Sequence, residues 1–157
     1  MRDGIKLNTE IYIPPNIDEK LPILFTRTPY GLRHDEEGLH SSLSSSYLEL
    51  AEDGYIFVFQ DIRGRYGSQG QFSMLRTPVS ADENAQVDEA TDTYDTIEWL
   101  IKNLNDHNGK VGILGISYGG WLTTIALTDI HPAVKAVSPQ ASPSDMFIGD
   151  DFYHNGA

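Results

Sequence analysis

The segment Lys110–Thr124 restricts the fold of this chain more than any other part of its sequence. It opens with a buried-strand pattern over Lys110–Gly115, carries Gly-Ile-Ser-Tyr-Gly at 115–119, and continues with helical spacing. The five-residue pattern alone is weak evidence, because average composition gives it by chance in roughly one chain of this length in twenty. Its position between a strand and a helix predicts a sharp turn that raises a serine hydroxyl above a sheet.

Ser117 is therefore a candidate nucleophile. A helix N-terminus stabilises negative charge at this position, and the glycines on either side let strand and helix approach without a Cβ clash. The alternative is a glycine-rich turn whose serine only caps the helix. A nucleophile also needs an oxyanion hole. We expect the backbone N–H of Tyr118 to be one donor and the loop 28–31 to supply the second. In that loop the phenol of Tyr30 is a candidate, although the residues alone favour a packing role for it.

The rest of the chain alternates strand and helix patterns, which predicts one α/β domain over residues 1–157. Strands are predicted at Ile5–Ile13, Pro22–Thr28, Tyr55–Gln60, Lys110–Gly115 and Val134–Val137, with helices at Tyr47–Asp53, 91–104 and from Ser117 to about Asp129. This order predicts a mostly parallel sheet with helices on both faces. The polar–apolar alternation of the first strand predicts an antiparallel edge.

Several local features complete these expectations. Thr91 or Asp92 is expected to cap the second helix, and a turn is predicted at 108–109. The glycine-punctuated loop 61–70 is expected to contain an ion pair between Asp61 and Arg63.

The composition excludes several classes of function. The chain has 23 acidic and 11 basic residues and a net charge of −12, which disfavours binding to nucleic acids or anionic membranes. It has no cysteine, so disulfides, thiol catalysis and cysteine-bound zinc are excluded. No apolar run approaches the roughly 20 residues that span a bilayer. We expect no metal and no cofactor. The compartment stays open: cytoplasmic, or periplasmic or secreted if a signal peptide has been removed.

With these residues in view, the chain resembles a known family. The resemblance is carried by Arg27–Tyr30 (RTPY), Gln60–Gly70 (QDIRGRYGSQG), Asp95–Leu100 (DTIEWL) and Gly115–Gly120 (GISYGG). These segments look like the acyl-esterase family of α/β-hydrolases, which holds cocaine esterase, X-Pro dipeptidyl peptidases, glutaryl-7-aminocephalosporanic acid acylases and α-amino acid ester hydrolases. The C-terminal stretch Ser142–Ala157 looks most like the α-amino acid ester hydrolases.

The resemblance implies a role for each matching position. Ser117 matches the acylated serine, Tyr118 the residue that offers its backbone N–H, and Tyr30 the tyrosine whose hydroxyl is the second oxyanion donor. Asp151 matches a carboxylate that holds the α-ammonium group of the substrate, and carboxylates pair well with ammonium groups. The implied substrate is a small α-amino acid ester or β-lactam-type amide. The alternatives are an X-Pro dipeptidyl peptidase and a general acyl esterase.

A base for Ser117 is missing from the pattern. His131 is expected at the far end of the helix that Ser117 begins, about 20 Å away. His107 is expected at the opposite end of the sheet, His34 and His40 in a solvated loop, and His154 in a binding or structural role.

In the resembling family the triad acid and histidine lie beyond the matched region. The chain therefore reads as the N-terminal portion of an α/β-hydrolase, incomplete by itself, with the rest of the hydrolase or a complementing chain as partner. An unpaired sheet edge would also favour a homo-oligomer. The alternative from another class is a non-catalytic fragment.

Overall fold

The computed structural model describes residues 1–15, 18–74 and 87–143. Within these ranges the strands are β1 (Thr9–Tyr12), β2 (Leu21–Thr28), β3 (Ile56–Asp61), β4 (His107–Ile116) and β5 (Val134–Gln140). The helices are α1 (Leu48–Asp53), α2 (Glu89–Asn103) and α3 (Tyr118–Ile125), and α3 continues into a 3-10 turn at Ala126–Asp129. The predicted order of strands and helices is confirmed.

The strands form one sheet in the order β1-β3-β2-β4-β5. β1 is antiparallel to β3 at the edge, and all other neighbours are parallel. The carboxyl ends of neighbouring parallel strands lie at the same edge of a sheet. The loops that follow β2, β3 and β4 therefore lie side by side, which is the arrangement that the predicted site requires.

Alternate residues of the strands pack on opposite faces of the sheet, because successive side chains in a strand point in opposite directions. One face joins Ile23, Phe25, Ile56, Val58, Val111 and Ile113 to Ile97 and Leu100 of α2 and to Ala126. The other face joins Phe57, Phe59 and Leu114 to Tyr47, with Leu50 and Ala51 of α1 against them. Helices on both faces confirm the predicted layers.

The first strand is shorter than the predicted Ile5–Ile13. The segment before β1 bonds mainly to the loop after β3: Lys6 O accepts from Gln69 N at 2.9 Å, and Asn8 N donates to Ser68 Oγ at 2.8 Å. Asn8 O also accepts from Asp61 N, the last residue of β3, at 3.1 Å. The alternating pattern is therefore used for contacts with a loop as well as for sheet pairing.

Helix α2 starts earlier than predicted, and its cap is Asp88 rather than Thr91 or Asp92. The Asp88 side chain accepts from Thr91 N at 2.7 Å, while Asp88 N donates to Thr91 Oγ1 at 2.9 Å. This reciprocal pair is a capping box, with threonine in the place usually taken by glutamate or glutamine.

Two further boundaries differ from prediction. The predicted turn at 108–109 lies inside β4, where Leu21 pairs with His107 and Ile23 with Val111, so extra residues form a bulge. Gly109 accommodates this bulge with φ +79°. The helix predicted from Ser117 to about Asp129 is split where α3 tightens into the 3-10 turn. No helix in the described ranges is both long enough and apolar enough to cross a bilayer.

Candidate active site

Ser117 sits at a sharply bent junction between β4 and α3. Its φ is 58° and its ψ is −118°, a conformation that side-chain-bearing residues rarely adopt. Its side chain makes no capping hydrogen bond, and the residue is exposed. The capping alternative is therefore not supported. Backbone strain of this kind is concentrated at functional sites.

Two glycines make the bend sterically feasible. A Cβ placed on Gly115 would overlap the carbonyl of Gly119 and would lie 2.8 Å from Thr123 Oγ1. A Cβ on Gly120 would lie 2.5 Å from Gln140 O, where α3 meets the end of β5. A Cβ on Gly119 would have Arg27 O as its nearest atom, at 3.4 Å, so this position is less restricted. The close approach expected at positions 115 and 119 is thus found at 115 and 120.

The backbone of the bend is fixed on both sides. Ser117 N donates to Gln140 O at 2.9 Å, and Trp121 N donates to Ser117 O at 3.0 Å. Tyr118 is the first residue of α3. The first N–H groups of a helix have no acceptor within the helix, so the Tyr118 amide is suited to bind an external oxygen.

The loop with Tyr30 lies beside this bend because β2 and β4 are adjacent and parallel. Phe25 is paired with Ile113, and each strand ends three residues later, at Thr28 and Ile116. The Tyr30 side chain is 53% exposed, which does not fit the packing role that the residues alone favoured.

The phenol of Tyr118 is buried beneath the site. Its hydroxyl donates to Met74 O at 3.0 Å, and its ring meets Trp121 edge-on with centroids 5.4 Å apart. Burial, followed by the charges of Glu89 and Tyr30, raises the pKa of Tyr118 to about 12.

The raised pKa gives a pH-dependent stability. A tyrosine in the unfolded chain ionises near pH 10, whereas Tyr118 in the folded chain ionises near pH 12. The contribution of Tyr118 to the free energy of unfolding is therefore fully present below pH 10 and is lost as pH rises from about 10 through about 12. In a spectrophotometric titration of phenolate, Tyr118→Phe is expected to remove a component that appears only near pH 12. Tyr66→Phe, at an exposed ring, is the control. Loss of a component near pH 10 in Tyr118→Phe would contradict the buried phenol.

Arg65 is a residue that the sequence analysis missed. Its Nε donates to Pro29 O at 2.9 Å, directly before Tyr30 in the chain. No sequence signal could have revealed this contact, because it joins two loops far apart in the chain.

The histidines that the structure describes are all engaged elsewhere. His34 Nε2 lies 2.9 Å from Glu10 Oε1, His40 stacks on Phe59 with centroids 3.6 Å apart, His107 Nε2 lies 3.0 Å from Ile101 O, and His131 Nε2 lies 2.9 Å from Glu98 Oε2. His40 is buried, so its predicted solvation is wrong. The structure thus gives Ser117 no histidine contact within the described ranges.

Other predicted features have mixed outcomes. The ion pair between Asp61 and Arg63 is wrong: Arg63 binds Asp92, and also Asp3 at 2.6 Å. Asp61 instead accepts from Asn8 Nδ2 at 2.9 Å. Asp151 and His154 lie outside the described residues. Among residues 1–15, 18–74 and 87–143 there is no cluster of three or more side chains suited to a metal.

The chain is similar in sequence and in fold to known proteins. The chain is 31% identical over its whole length to cocaine esterase of Rhodococcus sp. (strain MB1 Bresler), of which it covers 25%. It superposes with a TM-score of 0.86 on an aminopeptidase from a marine sediment Thaumarchaeota archaeon, at 43% identity over 98% of this chain and 26% of that one. An α-amino acid ester hydrolase gives a TM-score of 0.84 at 43% identity, over 96% of this chain and 25% of that one.

These similarities show the fold of the chain and the share of its relatives' length that it spans. The strand order, the bend at Ser117 and the solved relatives give the chain an α/β-hydrolase fold. The chain spans about a quarter of the length of the relatives it matches. Residues 3–157 match the family model described as X-Pro dipeptidyl-peptidase (S15 family), and the chain therefore belongs to that family of hydrolases.

Proposed function

We propose that this chain carries the nucleophile and the oxyanion hole of a serine hydrolase that acts on esters or amides through an acyl-enzyme on Ser117. The observation that carries the proposal is the backbone of Ser117, which holds an exposed serine at φ 58° between a buried strand and a helix N-terminus. A serine held in this way projects its hydroxyl toward a substrate above the sheet.

The reaction proceeds by two acyl-transfer steps. Ser117 Oγ attacks the carbonyl carbon of the substrate and gives up its proton to a histidine base. The Tyr118 N–H and the Tyr30 hydroxyl stabilise the oxyanion of the tetrahedral intermediate. The base then protonates the leaving alcohol or amine. Water or another amine attacks the acyl-enzyme, gives its proton to the base, and the base returns that proton to Ser117 Oγ as the bond to the acyl group breaks and the product leaves.

The proposed histidine base comes from outside the described residues, because each described histidine makes contacts elsewhere. The triad acid is proposed to come with it. They belong to the rest of the hydrolase or to a complementing chain. The isolated chain is then weakly active or inactive. A non-catalytic fragment is the competing proposal.

The proposed substrate is an ester or amide of an α-amino acid, including β-lactam-type amides. It is supported by the 43% identity to an α-amino acid ester hydrolase and to an aminopeptidase. Asp151 is proposed to bind the α-ammonium group. The family description and the similarity to cocaine esterase favour, as second candidates, an X-Pro dipeptidyl peptidase or a general acyl esterase.

The test uses a completed hydrolase, defined as residues 1–157 together with the rest of the same hydrolase or with the complementing chain that co-purifies with them. After exposure to a fluorophosphonate, intact-mass spectrometry is expected to show one adduct, and peptide fragmentation is expected to place it on Ser117. The same protein unfolded in urea is the control, because reactivity should depend on the bend. The isolated chain should react more slowly.

An adduct on another serine, or equal labelling of folded and unfolded protein, would overturn the proposed nucleophile. Substrate class is tested separately with an α-amino acid ester and its N-acetylated analogue, which lacks the positive charge. Preference for the charged ester supports the α-amino acid proposal, and equal turnover of both favours a general acyl esterase.

A further inference from the structure

The loop between Asp61 and Gly70 follows β3 and lies against the loop that carries Tyr30. Its backbone is held internally: Arg65 N donates to Ile62 O at 3.1 Å, and Ser68 N donates to Arg65 O at 2.9 Å. Ile62 N in turn donates to Thr28 O at 3.1 Å, which ties the loop to the end of β2. The loop is therefore a fixed support beside the predicted oxyanion hole.

The peptide group between Pro29 and Tyr30 is held at both ends. Its carbonyl oxygen accepts from Arg65 Nε at 2.9 Å, and its N–H donates to Thr28 Oγ1 at 3.1 Å. Because a peptide group is planar, two hydrogen bonds on opposite sides fix its orientation. This plane contains the Cα of Tyr30, so the point from which the side chain starts is fixed.

Arg65 is itself held in place by aromatic rings. Its guanidinium lies 5.3 Å from the centroid of Tyr66 and 5.0 Å from the centroid of Phe72, distances at which a cation is attracted to a ring face. A side chain confined in this way loses less conformational freedom when it donates to Pro29 O.

Tyr66 contacts Gly31, the residue that follows Tyr30 in the chain. A Cβ placed on Gly31 would lie 2.9 Å from two ring carbons of Tyr66, so the ring rests directly on the Gly31 backbone. Tyr66 is 67% exposed and has φ 45°, an uncommon conformation for a tyrosine. Neither burial of the ring nor a relaxed backbone accounts for this placement; the ring instead contacts the Gly31 backbone and the Arg65 guanidinium.

We infer that Arg65 and Tyr66 are positioning residues that hold the Tyr30 hydroxyl where the oxyanion forms. Arg65 fixes the peptide group before Tyr30, and Tyr66 fixes the residue after it. The inference rests on the proposed function, because it assumes that Tyr30 donates to the oxyanion. It adds a role for the loop after β3, which the reaction itself does not use.

The test is a double-mutant cycle in the completed hydrolase. Tyr30→Phe is expected to lower kcat by about 10²–10³-fold, as removal of one oxyanion donor does. Arg65→Ala is expected to lower kcat by roughly tenfold with KM changed by less than about twofold, because the loss arises in the transition state. In the Tyr30→Phe background, Arg65→Ala should lower kcat by less than about a further twofold, because its effect depends on the Tyr30 hydroxyl that Tyr30→Phe has removed.

Matched variants separate positioning from general damage. Arg33→Ala removes an exposed arginine three residues after Tyr30 and should leave kcat unchanged. Tyr66→Ala should lower kcat, and Tyr66→Phe, which keeps the ring on Gly31, should restore it. If Arg65→Ala does not fold, Thr28→Val removes the opposite anchor of the same peptide group and enters the same cycle.

The outcomes distinguish the two proposals. Equal losses from Arg65→Ala with and without the Tyr30 hydroxyl would overturn the positioning role, as would a change in KM alone. If Ser117→Ala keeps the activity of the parent, the proposed function itself fails. If Ser117→Ala is inactive and the cycle is additive, only the positioning role is lost.

Discussion

Replacing Ser117 by alanine is expected to lower kcat of the completed hydrolase by about 10⁶-fold, the scale seen when a serine nucleophile is removed. The substitution deletes the atom that forms the acyl-enzyme. It leaves the Tyr118 N–H and the Tyr30 hydroxyl in place, so a residual acceleration of about 10³-fold over water should persist. Steady-state turnover of an α-amino acid ester measures the effect.

The fold should survive this change, because alanine keeps a Cβ in the same backbone conformation at φ 58°. The thermal midpoint of Ser117→Ala is therefore expected to match that of the parent. Ser117→Gly should also be inactive yet more stable by about 1–3 kcal/mol, since glycine relieves the strain. Ser138→Ala, at an exposed serine on β5, is the control for turnover. Parent-like turnover of Ser117→Ala would rule out the serine mechanism.

Replacing Gly115 by alanine is expected to destabilise the chain by about 3 kcal/mol or more, which is the upper range for overpacking. The added methyl would overlap the carbonyl of Gly119, a backbone group that cannot rotate away as a side chain can. That carbonyl also accepts from Thr123 Oγ1 at 2.9 Å, so any shift breaks a buried hydrogen bond. The strand and the helix must then separate.

Gly112→Ala is the matched control because it lies in the same strand. Its Cβ would lie 3.4 Å from the terminal methyl carbon of Leu24, which can adjust. We expect this variant to change stability by less than about 1 kcal/mol. Urea unfolding followed by circular dichroism compares the two. Equal midpoints for both variants would contradict the steric account of the bend.

Features that depend on adjacent residues were predictable from the sequence. The apolar run of β4, the helical spacing after Ser117 and the glycine at 115 are all local, and together they predicted the bend. The alternation in the first strand likewise predicted its antiparallel place at the sheet edge. Parallel pairing then follows from the alternation of strands and helices.

Features that depend on distant partners were not predictable. Arg63 has acidic residues on several sides, and only the folded chain shows that it binds Asp3 and Asp92 rather than Asp61. The start of β1 was predicted too early, because Lys6 and Asn8 bond to a loop that the sequence places far away. The hydrogen bond from Arg65 to Pro29 is of the same kind. Long-range polar contacts leave no periodic pattern in a sequence.

The hydrogen bond from Ser117 N to Gln140 O sets an order of events during synthesis. Ser117 precedes β5 in the chain, so until β5 has been made and paired the bend has no acceptor for its amide and α3 has no neighbour at Gly120. The strained conformation becomes secure only once β5 has been translated and has paired with β4. Premature termination before Gln140 is therefore expected to yield a chain in which the backbone of Ser117 is less well fixed, because the acceptor of its amide is missing.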